Sequence, residues 1–135
     1  EVDADYGLAP RILADAMMAH PGMVSGEHRS DLALMQAGRG DWVTKIGAEG
    51  VQAIGVRSRG IGIALKVADG QKRGLYPAIV AVLEQLGLVD GVARAILAPW
   101  ARRAVRNYRG LETGEVRAVV DLDQFRPQVS ALSHG

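Results

Sequence analysis

The chain has 135 residues, 48% of them hydrophobic and 23% charged, and a formal net charge of +1. This is apolar material enough for the core of one domain, and the near-neutral balance argues against nucleic acid or a membrane surface as partner. The absence of cysteine excludes a disulfide framework and a thiolate metal site, and the three histidines (His20, His28, His134) lack a ligand spacing.

In chain order, residues 1–7 carry no periodic pattern. From Leu8 to His20 the apolar set Leu8, Ile12, Leu13, Ala16 and Met17 follows helical spacing, with Pro10 in the first turn and Pro21-Gly22 as the stop. Met17 and Met18 read as core and rim. Gly22 to Arg29 reads as a loop. Ser30 or Asp31 caps a short helix that brings Leu32, Leu34 and Met35 to the core. Arg39-Gly40-Asp41 spells the integrin-binding tripeptide, but with no secretory signal or disulfide it reads as a turn.

Three strand-like runs come next. Trp42, Thr44 and Ile46 alternate with Val43, Lys45 and Gly47, so Lys45 points away from Trp42. Gln52 to Arg57 forms a second run. In the third, Ile61, Ile63, Leu65 and Val67 share one face, while Gly60, Gly62, Ala64 and Lys66 share the other. Short connections predict an antiparallel meander. A helix spans about Gly74 to Leu86, with Leu75, Ile79, Val82, Leu83 and Leu86 as its stripe and Gly87 as its stop. Asp90 caps another helix, which Pro99 breaks or restarts before Trp100. Val105–Tyr108 and Val116–Val120 pair as a late hairpin, and Arg102, Arg103, Arg106 and Arg109 mark a solvated surface. Grouped strands flanked by helices give an α+β class with an antiparallel sheet, a domain over residues 1–122 and a flexible tail over 123–135.

Only three of the sixteen basic residues are lysines (Lys45, Lys66, Lys72). Arginine keeps its proton in proteins, whereas lysine can act as acid, base or local charge. Lys45, near the end of a strand and followed by Gly47-Ala48-Glu49-Gly50, is therefore the candidate catalytic residue, the alternative on spacing alone being a solvated strand lysine. Gly47 leaves room for a substrate to lie against the strand, and Glu49 sits at the mouth of a loop where it can meet an amino group or face solvent. Gly60-x-Gly62 lies inside a strand pattern and so is no dinucleotide fingerprint. None of the serines (25, 30, 58, 130, 133) has a lysine three residues on, and there is no thiol nucleophile.

Several segments, in order and spacing, resemble the bacterial type II L-asparaginase-like family, the Rhizobium-type inducible asparaginases. They are His20-Pro21-Gly22-Met23-Val24-Ser25-Gly26, Arg29, Leu34-Met35, Lys45-Ile46-Gly47-Ala48-Glu49-Gly50-Val51 and the run from Gly60 to Gly70. Leu83–Leu88, Asn107-x-Arg109-Gly110 and Gly114-Glu115-Val116 extend the likeness, which covers roughly residues 8–120 and corresponds to the family's C-terminal half. It implies a serine β-lactamase-like fold, hydrolysis of L-asparagine to L-aspartate and ammonia, and a homodimer. It also implies a Ser-x-x-Lys pair in an N-terminal half, with an auxiliary lysine in a later Lys-x-Gly segment. Lys45 and Gly47 match that segment, and Gly47, Ala48, Glu49 and Gly50 become the substrate-binding mouth.

The chain departs from the family pattern in three ways. Ser-x-x-Lys and the Cys-Ser-Gly-Lys-His-like segment with its metal ligands are missing, so no cofactor is expected here and zinc only in a complete family protein. Where some members carry a cysteine after Arg29, this chain has Ser30-Asp31. The start at Glu1 rather than Met suggests a fragment, a processed product or a trimmed chain, and with no signal peptide in view the expected location is the cytoplasm. The expected function is the C-terminal part of an asparaginase-type amidohydrolase, inactive alone, partnered by an amide substrate and a missing N-terminal half. The alternative is a non-catalytic folded remnant or oligomerisation module. A weaker third reading is a β-lactam-recognising or glutaminase-like hydrolase of the same fold.

Overall fold

A computed structural model describes residues 7–123. The expected flexible tail falls on residues 123–135 and, after its first residue, lies outside that range. Three helices, α1 (Ala9–Ala19), α2 (Pro21–Ser25) and α3 (Ser30–Gly38), precede a meander of β1 (Trp42–Gly47), β2 (Val51–Val56) and β3 (Ile61–Lys66). Helices α4 (Lys72–Gln85) and α5 (Gly91–Ala101) follow, and β4 (Arg103–Arg106) with β5 (Glu112–Val116) form a separate hairpin. The sheet order is β1-β2-β3, antiparallel throughout, so the α+β class stands.

The period-2 alternation of the three strands decides what each face does. Trp42, Ile54 and Val56 point to one side and are buried against Leu34 and Ala37 of α3, Ile79, Val80 and Leu83 of α4, and Ala93 and Leu97 of α5. Buried side chains of this size each contribute about 1.5–3 kcal/mol of transfer free energy, so this face carries the core. Its tightest point is Gly38, where an added Cβ would stand 2.4 Å from Trp42 Cγ. Only glycine lets α3 end against that ring.

The opposite face is open. Its cross-strand rows are Val43–Gly55–Gly62, Lys45–Ala53–Ala64 and Gly47–Val51–Lys66. Lys45, Ala53, Gly62, Ala64 and Lys66 are all exposed. Helix α1 runs beside β1 but buries none of its residues. Its apolar stripe is turned outward instead, with Leu8, Ile12 and Leu13 between 62% and 70% exposed. Met17 and Met18 are half-buried.

Several local expectations need correction. Pro21 stops α1 as expected, but the segment from Gly22 to Arg29 is not all loop, because its first part is the helical turn α2. Pro21 occupies the first position of α2, where its missing N–H costs nothing, and the turn ends at Gly26 with φ +88. Neither Ser30 nor Asp31 caps α3: the N-cap is Arg29, and both residues lie buried inside the first turn. Pro99 does not break α5, because buried Leu97 holds the last turn to the core and Trp100 meets the Tyr76 ring edge-on at 4.8 Å. Packing there offsets the roughly 3 kcal/mol that an internal proline costs. The late hairpin is shifted toward the N-terminus. Asn107 accepts from the backbone N–H groups of Arg109 and Leu111, closing the turn early, so pairing begins at Glu112.

The Arg-Gly-Asp triplet is a turn whose charged members serve the fold. Arg39, in the left-handed region at φ 47, pairs with Asp90 at 2.5 Å, and Asp41 accepts from Ser58 N and Oγ. Asp90 also caps α5 by accepting from Ala93 N. The Arg39 guanidinium and the Ala93 amide hold the Asp90 carboxyl down at about 2.

Candidate active site

Lys45 is the fourth residue of the edge strand β1, on the open face. Its side chain is 56% exposed, and Nζ donates to the carbonyl of Ile46 at 2.6 Å. Behind it lies Asp31, whose side chain is 0% exposed. The two groups are paired at 3.8 Å between Nζ and Oδ2.

A bare buried carboxylate costs several kcal/mol, so its surroundings must supply donors. They come from two strands. Oδ2 accepts from Ile46 N at 3.0 Å, on the strand that forms the sheet's edge among the described residues. Oδ1 accepts from Thr44 Oγ1 at 3.2 Å and from Gln52 Nε2 at 2.9 Å, and Gln52 Nε2 also donates to Thr44 Oγ1 at 2.6 Å. Asp31 lies in the first turn of α3, where the helix dipole favours negative charge. Thr44 and Gln52 are likewise buried, so the carboxylate, hydroxyl and amide form one closed network under the strand that carries Lys45. Gln52 Oε1 and Ser30 Oγ are the buried polar atoms near it with no partner.

Lys45 also lines an open cleft of about 640 Å³ with Ala16, Met17 and His20 of the α1 segment and Met23 and Val24 of α2. That volume suits a small molecule. The walls are mostly apolar, with Lys45 and His20 as the chemically active groups. A second, smaller concavity of about 380 Å³ continues from Met17 and Lys45 across Ala53, Gly55, Gly62 and Ala64 on the open sheet face. Met17 is thus a wall of the cleft beside Lys45 as well as a packing residue.

Gly47, Ala48, Glu49 and Gly50 lie elsewhere. Gly47 ends β1, and Ala48, Glu49 and Gly50 form the β1–β2 turn, with left-handed φ of 58 at Glu49 and 69 at Gly50. The turn is clamped from below. Lys66 Nζ donates to the Glu49 carbonyl, Val67 N donates to the Gly50 carbonyl at 2.9 Å, and a Cβ on Gly50 would stand 2.9 Å from the Gly70 carbonyl carbon. Glu49 is exposed. The structure therefore sets Lys45 and the 47–50 turn on one hairpin but places only Lys45 on the wall of the cleft.

Sequence reading missed Asp31, Thr44 and Gln52 as a unit. A signal existed: Thr44 and Gln52 fall on the apolar side of their strands, where polar groups demand a partner. Among the described residues no group of three or more His, Cys, Asp or Glu could hold a metal ion. No described helix is long and apolar enough to cross a membrane.

Comparison with known proteins agrees with the sequence motifs. No curated protein matches the chain. The model of the family described as L-asparaginase II matches residues 3–118, which takes in α1 to β5. The chain belongs to the L-asparaginase II family.

Proposed function

We propose that this chain is the part of an asparaginase-type amidohydrolase that supplies the auxiliary lysine, acting on L-asparagine or a similar amide. The observation that carries the reading is Lys45 standing on the wall of an open cleft, paired with a buried carboxylate, in the Lys-x-Gly segment of an L-asparaginase II chain.

Amide hydrolysis builds negative charge on the carbonyl oxygen in the transition state, and a fixed ammonium nearby favours that charge. Lys45 is suited to this role because its Nζ already has the Ile46 carbonyl and Asp31 to hold it at the strand edge. Asparagine hydrolysis consumes water and yields aspartate and ammonia. In the Ser-Lys type of catalysis the attacking serine comes from an N-terminal half, since no Ser-x-x-Lys occurs in this chain. A serine β-lactamase-like arrangement with an N-terminal half would supply that serine. A cytoplasmic homodimer is part of the same proposal.

The test is ammonia release from L-asparagine by the chain complemented with an N-terminal half, for wild type and Lys45→Ala. A loss of about 10²-fold or more in kcat is expected if Lys45 stabilises transition-state charge. Equal rates would overturn the assignment.

One observation favours a second reading. Leu8, Ile12, Leu13 and Met23 leave apolar surface exposed along α1 and α2, as a non-catalytic oligomerisation module would. Mass spectrometry of the native protein separates the two readings. A second polypeptide bearing Ser-x-x-Lys supports the enzyme, and a pure homo-oligomer supports the module.

A further inference from the structure

We propose that Asp31 is a positioning residue for Lys45: a buried carboxylate that bonds the edge of β1 and fixes the direction of the lysine side chain. The consequence for hydrolysis rests on the reading of Lys45 given above, but the holding of Lys45 does not.

The geometry asks for more than a structural clip. Thr44 Oγ1 and Gln52 Nε2 both approach Oδ1, on the covered side of the sheet. Oδ2 is turned to the strand edge, where it takes the Ile46 amide and faces Lys45 Nζ. Lys45 is the cation that the structure pairs with Asp31 among the described residues. A neutral side chain could satisfy the hydroxyl and the amide, but only a carboxylate both accepts these three bonds and attracts an ammonium. The carboxylate is shielded from water while the ammonium is half exposed, so the pull on Lys45 is screened less than between two fully exposed groups and sets direction more than stability. Lys45 and Ile46 are adjacent in sequence, so one oxygen sets both the backbone and the side chain at the point where the strand enters the cleft.

The chain has only three lysines, which makes the proposal measurable. The readout is the NMR order parameter of the lysine Cε methylene in the intact chain, assigned with Lys45→Arg, with Lys72 on the exposed start of α4 as reference. Wild type is expected to show Lys45 ordered at about twice the Lys72 value. Asp31→Asn should lower Lys45 clearly toward the Lys72 level, with the Ile46 carbonyl as its one remaining partner. Thr44→Val, which removes one donor and keeps the carboxylate, should lower thermal stability and leave Lys45 ordered. A merely structural role for Asp31 would make the two variants alike, and that outcome overturns the proposal. So does a Lys45 as mobile as Lys72 in wild type, or one unchanged in a folded Asp31→Asn protein. Should Asp31→Asn fail to fold, the wild-type comparison decides alone. None of these readouts involves ammonia release, so failure here is distinguishable from failure of the catalytic reading.

Discussion

The two faces of one three-stranded sheet have different tasks. On the covered side Trp42, Ile54 and Val56 interlock with three helices and supply the core. On the open side the same strands present Lys45, Lys66 and a run of glycine and alanine to a shallow surface. Alternate residues of a strand thus divide between folding and chemistry, and Asp31 is the group that reaches from the first side to the second. Stability should therefore respond to substitutions on one face and activity to those on the other.

The largest effect should come from the covered face. Leu83→Ala removes a fully buried side chain, and denaturant unfolding should show a loss of about 2–5 kcal/mol. The network between the faces should be intermediate. Thr44→Val leaves Asp31 and Gln52 short of a partner and should cost about 1–3 kcal/mol by the same measurement. Gly50→Ala belongs at a similar level, about 1–3 kcal/mol, because it forces a side chain into a left-handed position against the Gly70 backbone.

An acid titration isolates a smaller effect at the α5 cap. Asp90 has its carboxyl depressed to about 2 by Arg39 and the Ala93 amide. Its contribution to stability is fully present above the ordinary carboxylate range and is lost as pH falls through about 2. Thermal melts between pH 5 and pH 2 should fall less steeply for Asp90→Asn, which also loses the Arg39 pair. The smallest effect should come from α1. Ile12→Ser is expected to change stability by no more than about 0.5 kcal/mol, since the side chain already faces solvent.

Much of this division was legible in the residues. Strict alternation over Trp42–Gly47 and Ile61–Val67 predicts both strands and puts Lys45 and Lys66 on the side away from the apolar set. The stripe from Leu75 to Leu86 predicts α4. What was not legible depends on partners far along the chain. Asp31 reads as a helix cap by local rules, and only the fold brings Ile46 and Gln52 to it, 15 and 21 residues on. Pro99 reads as a break until Trp100 finds Tyr76. The stripe of α1 reads as core-facing, yet nothing among the described residues covers it. Periodicity shows that a helix is amphipathic, not what lies opposite it.

The most direct test of the division is a paired measurement on Lys45→Ala. Lys45 is more than half exposed, so unfolding of the chain should shift by no more than about 1 kcal/mol, as for exposed ion pairs. Ammonia release by the complemented protein should fall by about 10²-fold or more. A protein that loses stability while keeping its rate would contradict the account, because Lys45 would then belong to the folding side of the sheet.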